Sequence, residues 1–286
     1  MREELKEFWF FFKQNRGAVG GLALIVLFVL AAVFAPLLSH YDPARVFPDA
    51  LRLPPFWVEG GKHEFLLGTD DVGRDLLSRL LYGARVSLGV GFLVVLLSLT
   101  TGTAAGLIAG YFGGWIDRFT MRAVDILMAL PSILLAIVVV SVLGPSLFNA
   151  VVAVSVVSLP NFIRVVRASV IAEKGRPYVM ASRSFGAGHF RNLVINILPN
   201  CMAPLIVQGA LGFSDGILNV AALGFLGLGA QPPTPEWGTV LADARPFIES
   251  NPWMVNLPGL CILGVVLGFN LMGDGLRDAF DPRLRK

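Results

Sequence analysis

The chain has 286 residues, 55% of them hydrophobic and 15% charged, with a mean hydropathy of +0.70. Soluble domains carry about 25% charged residues, so this composition excludes a water-soluble domain and predicts a polytopic, all-α integral membrane protein. A net charge of +3 is too small for a nucleic-acid footprint, and the three histidines and two cysteines show neither metal-ligand spacing nor a disulfide framework.

Residues 1–17 place Glu3, Glu4, Lys6, Glu7, Lys13 and Arg16 around an aromatic cluster, Phe8 to Phe12. This pattern suits a helix lying at the headgroup level. Residues 18–38 form the first span. Its 21 apolar residues exceed the roughly 7–15 of a signal-peptide core, so it reads as a retained span. Residues 39–85 form a polar loop rich in proline, with acids and bases interleaved as in a folded, hydrogen-bonded cap. Within it, Gly68-Thr69-Asp70 reads as a turn and helix N-cap, and Asp71 to Leu81 as a short helix.

The remaining core, 86–286, begins with a second span over 86–116 that exits at Gly110, Gly113 and Gly114. Asp117, Arg118 and Arg122 then fall in a short turn. Ile126 to Ile163 is an uncharged run of 38 residues. As one helix it would measure about 57 Å, so it must hold two spans, placed at 121–143 and 147–166 with Gly144-Pro145-Ser146 between them. After the basic segment 164–199, a fifth span covers 201–229, a second polar loop runs through Gln231-Pro232-Pro233-Thr234-Pro235-Glu236-Trp237-Gly238, and a sixth span covers 251–273. The tail is Arg283-Leu284-Arg285-Lys286.

The 164–199 loop carries Arg164, Arg167, Lys174, Arg176, Arg183 and Arg191 against a single acid, Glu173. Gly175 is expected to end the preceding helix through a positive φ. Pro177 suits the first turn of a new helix, which Gly186 and Gly188 terminate. Tyr178, Ala181 or Ser182, and Phe185 share one face of that helix. At about two turns, roughly 12 Å, it is too short to stand alone in water and must lean on something. Of the 23 Lys and Arg residues, sixteen lie on the side of this loop and the termini. That bias predicts that the loop and both termini are cytoplasmic.

Three acids lie in or beside spans. Asp125 is expected to pair with Arg122, and Asp274 to cap or pair near Asn270 and Arg277. Asp215, the most interior, either lines a polar pathway or partners a neighbouring helix. Gly224, Gly227 and Gly229 suit close helix packing. No catalytic constellation occurs. Gly61-Lys62 is followed by His63, where a phosphate-binding loop needs Ser or Thr. A transport protein powered from outside this chain fits these absences.

Tyr178-Val179-Met180-Ala181-Ser182-Arg183-Ser184-Phe185-Gly186, followed by Ile197-Leu198-Pro199-Asn200, resembles the cytoplasmic EAA loop of ABC-importer permeases. Ala181, Gly186 and Leu198-Pro199 hold the spacing, while Met180 stands where that family has Glu and Ser182 where it has a second Ala. Gly68, Thr69 and Asp70 with Gly73, Arg74 and Asp75, then Ser78-Arg79 and Tyr82-Gly83-Ala84-Arg85, are similar to the outer loop of the dipeptide, oligopeptide and nickel importers. So are Phe225-Leu226-Gly227-Leu228-Gly229 and the terminal Asn270 to Asp278 stretch with Asp281-Pro282. The resemblance covers nearly the whole chain and is nearest to the second ("C") permease of the dipeptide branch.

It implies a six-helix type I importer permease and no cofactor on this chain. ATP and Mg would sit on two partner ABC ATPases, a homologous second permease subunit would complete the pore in the lipid bilayer, and an extracytoplasmic peptide-binding protein would deliver cargo. Tyr178, Val179, Met180, Ala181, Ser182, Arg183, Phe185 and Gly186 would couple to an ATPase through the 177–188 loop. Nickel, haem and longer oligopeptides are the alternative cargoes. A stand-alone ion-coupled secondary transporter and a membrane scaffold are the alternatives of other classes.

Overall fold

In a hydrocarbon solvent the backbone must satisfy its own polar groups, which leaves the apolar runs of this chain the helix as their main option. The computed structural model describes residues 2–280, with side chains from residue 7. The side chains of Glu3, Glu4 and Lys6, the Asp281-Pro282 pair and the basic tail Arg283-Leu284-Arg285-Lys286 lie outside the described residues.

Helix α1 (Arg2–Gln14) ends at Asn15, whose side chain accepts from the Ala18 amide at 3.1 Å and so starts α2 (Arg16–Val33). One turn, α3 (Ala35–Leu38), completes the first crossing. The next helix, α4 (Leu76–Phe112), is 37 residues long. It fuses the short helix expected at 71–81 to the second span, and its N-cap is Asp75 rather than Asp70. The Asp75 carboxylate accepts from the Ser78 amide at 2.8 Å.

The third crossing departs most from expectation. Instead of one helix over 121–143, α5 (Gly114–Met128) and α6 (Ser132–Leu143) meet at 94°. Pro131 has no amide to donate and disfavours helical geometry in the residue before it, which accounts for the break. Asp117, Arg118 and Arg122 consequently lie on α5, not in a turn. The break at Gly144 falls where the sequence places it, with φ +89° at the glycine and Ser146 capping α7 (Leu147–Lys174). This helix runs well past 166, so Arg164, Arg167 and Lys174 sit on its last turns rather than in a loop.

Beyond it come α8 (Pro177–Ser184) and α9 (His189–Arg191), then a π-turn over Asn192–Ile197 and a 3₁₀ turn over Leu198–Cys201 that lead into α10 (Met202–Phe225). Pro199 cannot donate to the ladder, which accounts for the irregular turns around it. Finally α11 (Trp237–Ala244) precedes α12 (Trp253–Phe280). Five helical stretches are each long and apolar enough to cross a bilayer, and the bent α5–α6 pair makes six. Extended pairing among the described residues is limited to an isolated Thr69–Asp75 bridge.

A glycine row closes the centre of the bundle. A Cβ on Gly102, Gly106 or Gly110 of α4 would fall 2.6, 2.7 or 2.9 Å from the Cβ of Phe162, Val166 or Val170 on α7. Small residues at four-residue steps let two membrane helices approach backbone to backbone. The expected Gly224, Gly227 and Gly229 play other parts. A Cβ on Gly224 would lie 2.6 Å from the Glu236 carboxylate at the start of α11, and Gly227 turns the chain at φ +76°.

The bundle has two unlike ends. At one, Phe12 packs with Ala18 and Ala279, Asn15 donates to Asp278 at 3.0 Å, and α8 sits against the end of α4. The 39–75 loop and α11 cover the other. Both described termini thus share an end with α8, as an even number of crossings requires.

Candidate functional site

The short helix α8 starts where the sequence says it must. Pro177 occupies its first turn, Arg176 is extended ahead of it, and Gly186 follows at φ +82°. Gly175 does end α7, but at φ −83°, so no left-handed turn is involved. Support comes from within the chain. Val179 is fully buried among Leu107, Tyr111, Val166, Val170 and Ile197. The Tyr178 hydroxyl donates to the Glu173 carboxylate at 2.6 Å and accepts from Asn200 Nδ2 at 3.1 Å. Partial burial and that carboxylate push the phenol up to about 12, so it stays a donor across the physiological range. Asn196 Nδ2 donates to the Ser182 hydroxyl at 2.9 Å and to Asn192 Oδ1 at 2.8 Å. Ser182, at the position of the expected Ala, is therefore a fastening point.

A second fastening lies beside it. Lys174 Nζ donates to the Tyr111 carbonyl at 2.5 Å, Tyr111 Oη is 3.0 Å from His189 Nδ1, and the Arg183 guanidinium lies 4.8 Å from the centroid of the Tyr111 ring. Four of the eight expected coupling residues therefore engage their own chain: Val179 is buried, Arg183 covers Tyr111, and the Tyr178 and Ser182 hydroxyls are hydrogen-bonded. Met180 and Ala181 are exposed, and Phe185 is 91% exposed. Sequence reasoning missed Glu173, Tyr111, His189 and the row Asn192, Asn196, Asn200. That row was visible, because its four-residue steps mark one helical face.

Two ion pairs hold the adjoining helices. Arg164 donates to Asp125 at 2.7 Å, so Asp125 pairs across to α7 rather than with Arg122. Arg167 grips Asp117 through both Nε and Nη2, the latter at 2.6 Å from Oδ2. Asp274 is exposed and forms no ion pair among the described residues.

At the opposite end, Gly68, Thr69, Asp70, Gly73, Arg74 and Asp75 fold the 39–75 loop onto α11. Gly68 and Gly73 take φ +82° and +87° and leave no room for a side chain. Asp70 accepts from the Val72 and Arg74 amides at 3.1 and 2.8 Å and from Arg74 Nε at 2.6 Å. Asp243 of α11 receives Arg74 at 3.2 Å and Arg79 at 3.5 Å. Arg79 is 1% exposed. Its pairing with Asp243 spans the sequence, and no local pattern announces it. Burial and the neighbouring Asp70 push the Asp71 carboxyl above its ordinary value.

Between these ends, Asp215 lies near the middle of α10. It is exposed on this chain, and its carboxylate has no hydrogen-bond or ion-pair partner among the described residues. The structure thus keeps the three predicted groups of residues apart: a fastened surface helix at one end, a charge-locked cap at the other, and a lone carboxylate at mid-depth. Among the described residues, no three His, Cys, Asp or Glu side chains are grouped to hold a metal ion.

This architecture is the type I ABC importer permease fold. A solved inward-facing structure of the MetNI methionine ABC transporter superposes with a TM-score of 0.58 at 19% identity, covering 71% of this chain and 97% of that one. Residues 102–286 match the binding-protein-dependent transport system inner membrane component family, and residues 4–55 match the N-terminal TM domain of oligopeptide transport permease C.

The chain belongs to that inner membrane component family, and it is a multi-pass permease subunit, not an enzyme. Among its relatives are the dipeptide transport system permease protein DppC of Escherichia coli K12, 60% identical over 99% of this chain and 94% of that protein, and DppC of Haemophilus influenzae, 55% identical over 99% and 96%. The di/tripeptide permease DppC of Pseudomonas aeruginosa UCBPP-PA14 is 57% identical over 98% and 93%.

Proposed function

We propose that the chain carries dipeptides through the cytoplasmic membrane as one permease of an ATP-driven importer, with α8 as the contact to an ATPase. The uneven exposure of α8 and of the residue that caps it carries this reading. Val179, Tyr178 and Ser182 tie the helix to its own chain, while Met180 and Phe185 stand free next to them. A large aromatic 91% exposed beside a fastened helix suits an interface anchor, and a short fixed helix suits docking into a groove. A homologous second permease completes the pathway, two ABC ATPases bind ATP and Mg, and an extracytoplasmic peptide-binding protein delivers the cargo. The α8 end and both termini face the cytoplasm, where Lys and Arg accumulate.

When ATP closes the ATPase dimer, α8 moves with its ATPase. The Tyr178–Glu173 bond passes the motion to α7, and the Tyr111 cluster passes it to α4. The glycine row makes those two helices move together. The two permeases rock between inward-open and outward-open forms, driven by differential contacts in the two states. Asp215 lines the pathway between them. Dipeptide as cargo rests on the names of the relatives at 55–60% identity.

Competition uptake in the reconstituted complex tests the reading. Labelled dipeptide should enter only with ATP and be displaced by unlabelled dipeptides, not by nickel, haem or longer peptides. Gradient-driven uptake by this chain alone would overturn it.

A further inference from the structure

We propose that Asp215 is the counter-ion for the N-terminal ammonium of the cargo peptide, an inference that rests on the importer function above. A carboxylate in the bilayer interior is costly wherever it meets lipid, and such groups face a wet cavity or a partner instead. Asp215 is exposed on this chain and its carboxylate lacks a side-chain partner among the described residues. The face it occupies carries Gln208, Asp215 and Asn219, with Leu211 and Ala222 interspersed. Positions 208, 211, 215, 219 and 222 recur at three- and four-residue steps and share one side of α10. Gln208 and Asn219 flank Asp215 on that side. Towards the α8 end, about 10 Å along the helix axis, Gln208 and Leu211 open into a cavity of about 540 Å³ between α7, α10 and α12, which Arg277 also lines. One stripe of α10 therefore runs from this carboxylate past Leu211 to Gln208 and a space large enough for a small peptide.

The chemistry of the stripe selects the ligand group. It offers one carboxylate and two carboxamides, with no imidazole or thiolate, so it suits a hard, hydrogen-bonding cation rather than nickel. A peptide entering this path carries one such cation, its α-ammonium, with three donors for the carboxylate and the Asn219 amide oxygen one turn away. A desolvated ammonium needs a counter-charge.

The test uses the complete importer in proteoliposomes, with its delivery protein saturated by each peptide and its affinity for each measured separately. Two probes are compared, a free-amine dipeptide and its N-acetylated form. Asp215→Asn should lower uptake of the free-amine peptide at least tenfold, about 1.4 kcal/mol, and leave the N-acetylated peptide unchanged. Asp215→Glu should restore discrimination. Equal loss for both probes, or no loss for either, overturns the proposal, while absence of ATP-driven dipeptide uptake by the unmodified complex would instead refute the importer function. Should Asp215→Asn fail to assemble, Asp215→Cys serves: a membrane-impermeant thiol reagent should modify it, and the free-amine peptide should block the modification. An unreactive cysteine also overturns the proposal.

Discussion

Val179 of α8 and Phe185, the residue that caps its C-terminus, differ sharply in exposure, one fully buried and the other 91% exposed. Their substitutions should therefore separate. Val179→Ala removes buried methyl groups and should destabilise the chain by about 2 kcal/mol, seen as a lower melting temperature of the purified subunit. Phe185→Ala should leave that temperature unchanged and weaken ATPase binding by about 30-fold, the loss of an interface anchor worth about 2 kcal/mol, measured by titrating the ATPase onto the permeases. Tyr178→Phe removes a hydrogen bond to a carboxylate and should cost about 1.5–3 kcal/mol, again read in thermal unfolding. How much could be read from the sequence differs among these residues. Pro177 and Gly186 announced the ends of α8 because their backbone chemistry is local. Which side of α8 faces inward was not legible, because Val179 is chosen by Ile197, Val166 and Leu107, residues far away along the chain.

Among the elements, α8 is kept short by Gly186, whose φ of +82° most side chains adopt only at a cost. Gly186→Val should strain the turn by about 1–2 kcal/mol, displace the helix and lower ATP-driven uptake, while the subunit still reaches the membrane at normal abundance. Unchanged transport by such a mutant would count against α8 as the coupling element. The six crossings were legible as apolar lengths, and the Gly144 break as a backbone signal. The 94° bend between α5 and α6 was not. Pro131 lies inside an uninterrupted apolar run, and hydropathy records length but not direction. Asp125 taught a similar lesson. Its three-residue spacing from Arg122 suited a local pair, yet Arg164 across the helix interface took it.

For the molecule as a whole, the two ends are held by different physics. The α8 end uses neutral and charge-assisted hydrogen bonds around a small apolar cluster. The opposite end is locked by charge, with Arg74 and Arg79 held between Asp70 and Asp243. Removing one member of a buried ionic group leaves the others uncompensated, so Arg79→Ala should cost about 3–5 kcal/mol. A double-mutant cycle with Asp243→Asn should show coupling in thermal unfolding; simple additivity would contradict the lock. The motif Gly68 to Asp75 was legible as a fold signal but not its destination on α11, since Asp243 follows it by more than 160 residues in the chain.

In the proposed importer, energy enters this chain at α8. A photo-reactive amino acid in place of Phe185, activated by light in the assembled importer, tests this most directly. The expected result is a cross-link to an ATPase subunit that survives purification and whose yield changes when ATP binds. Cross-links confined to lipid or to this chain itself would contradict it.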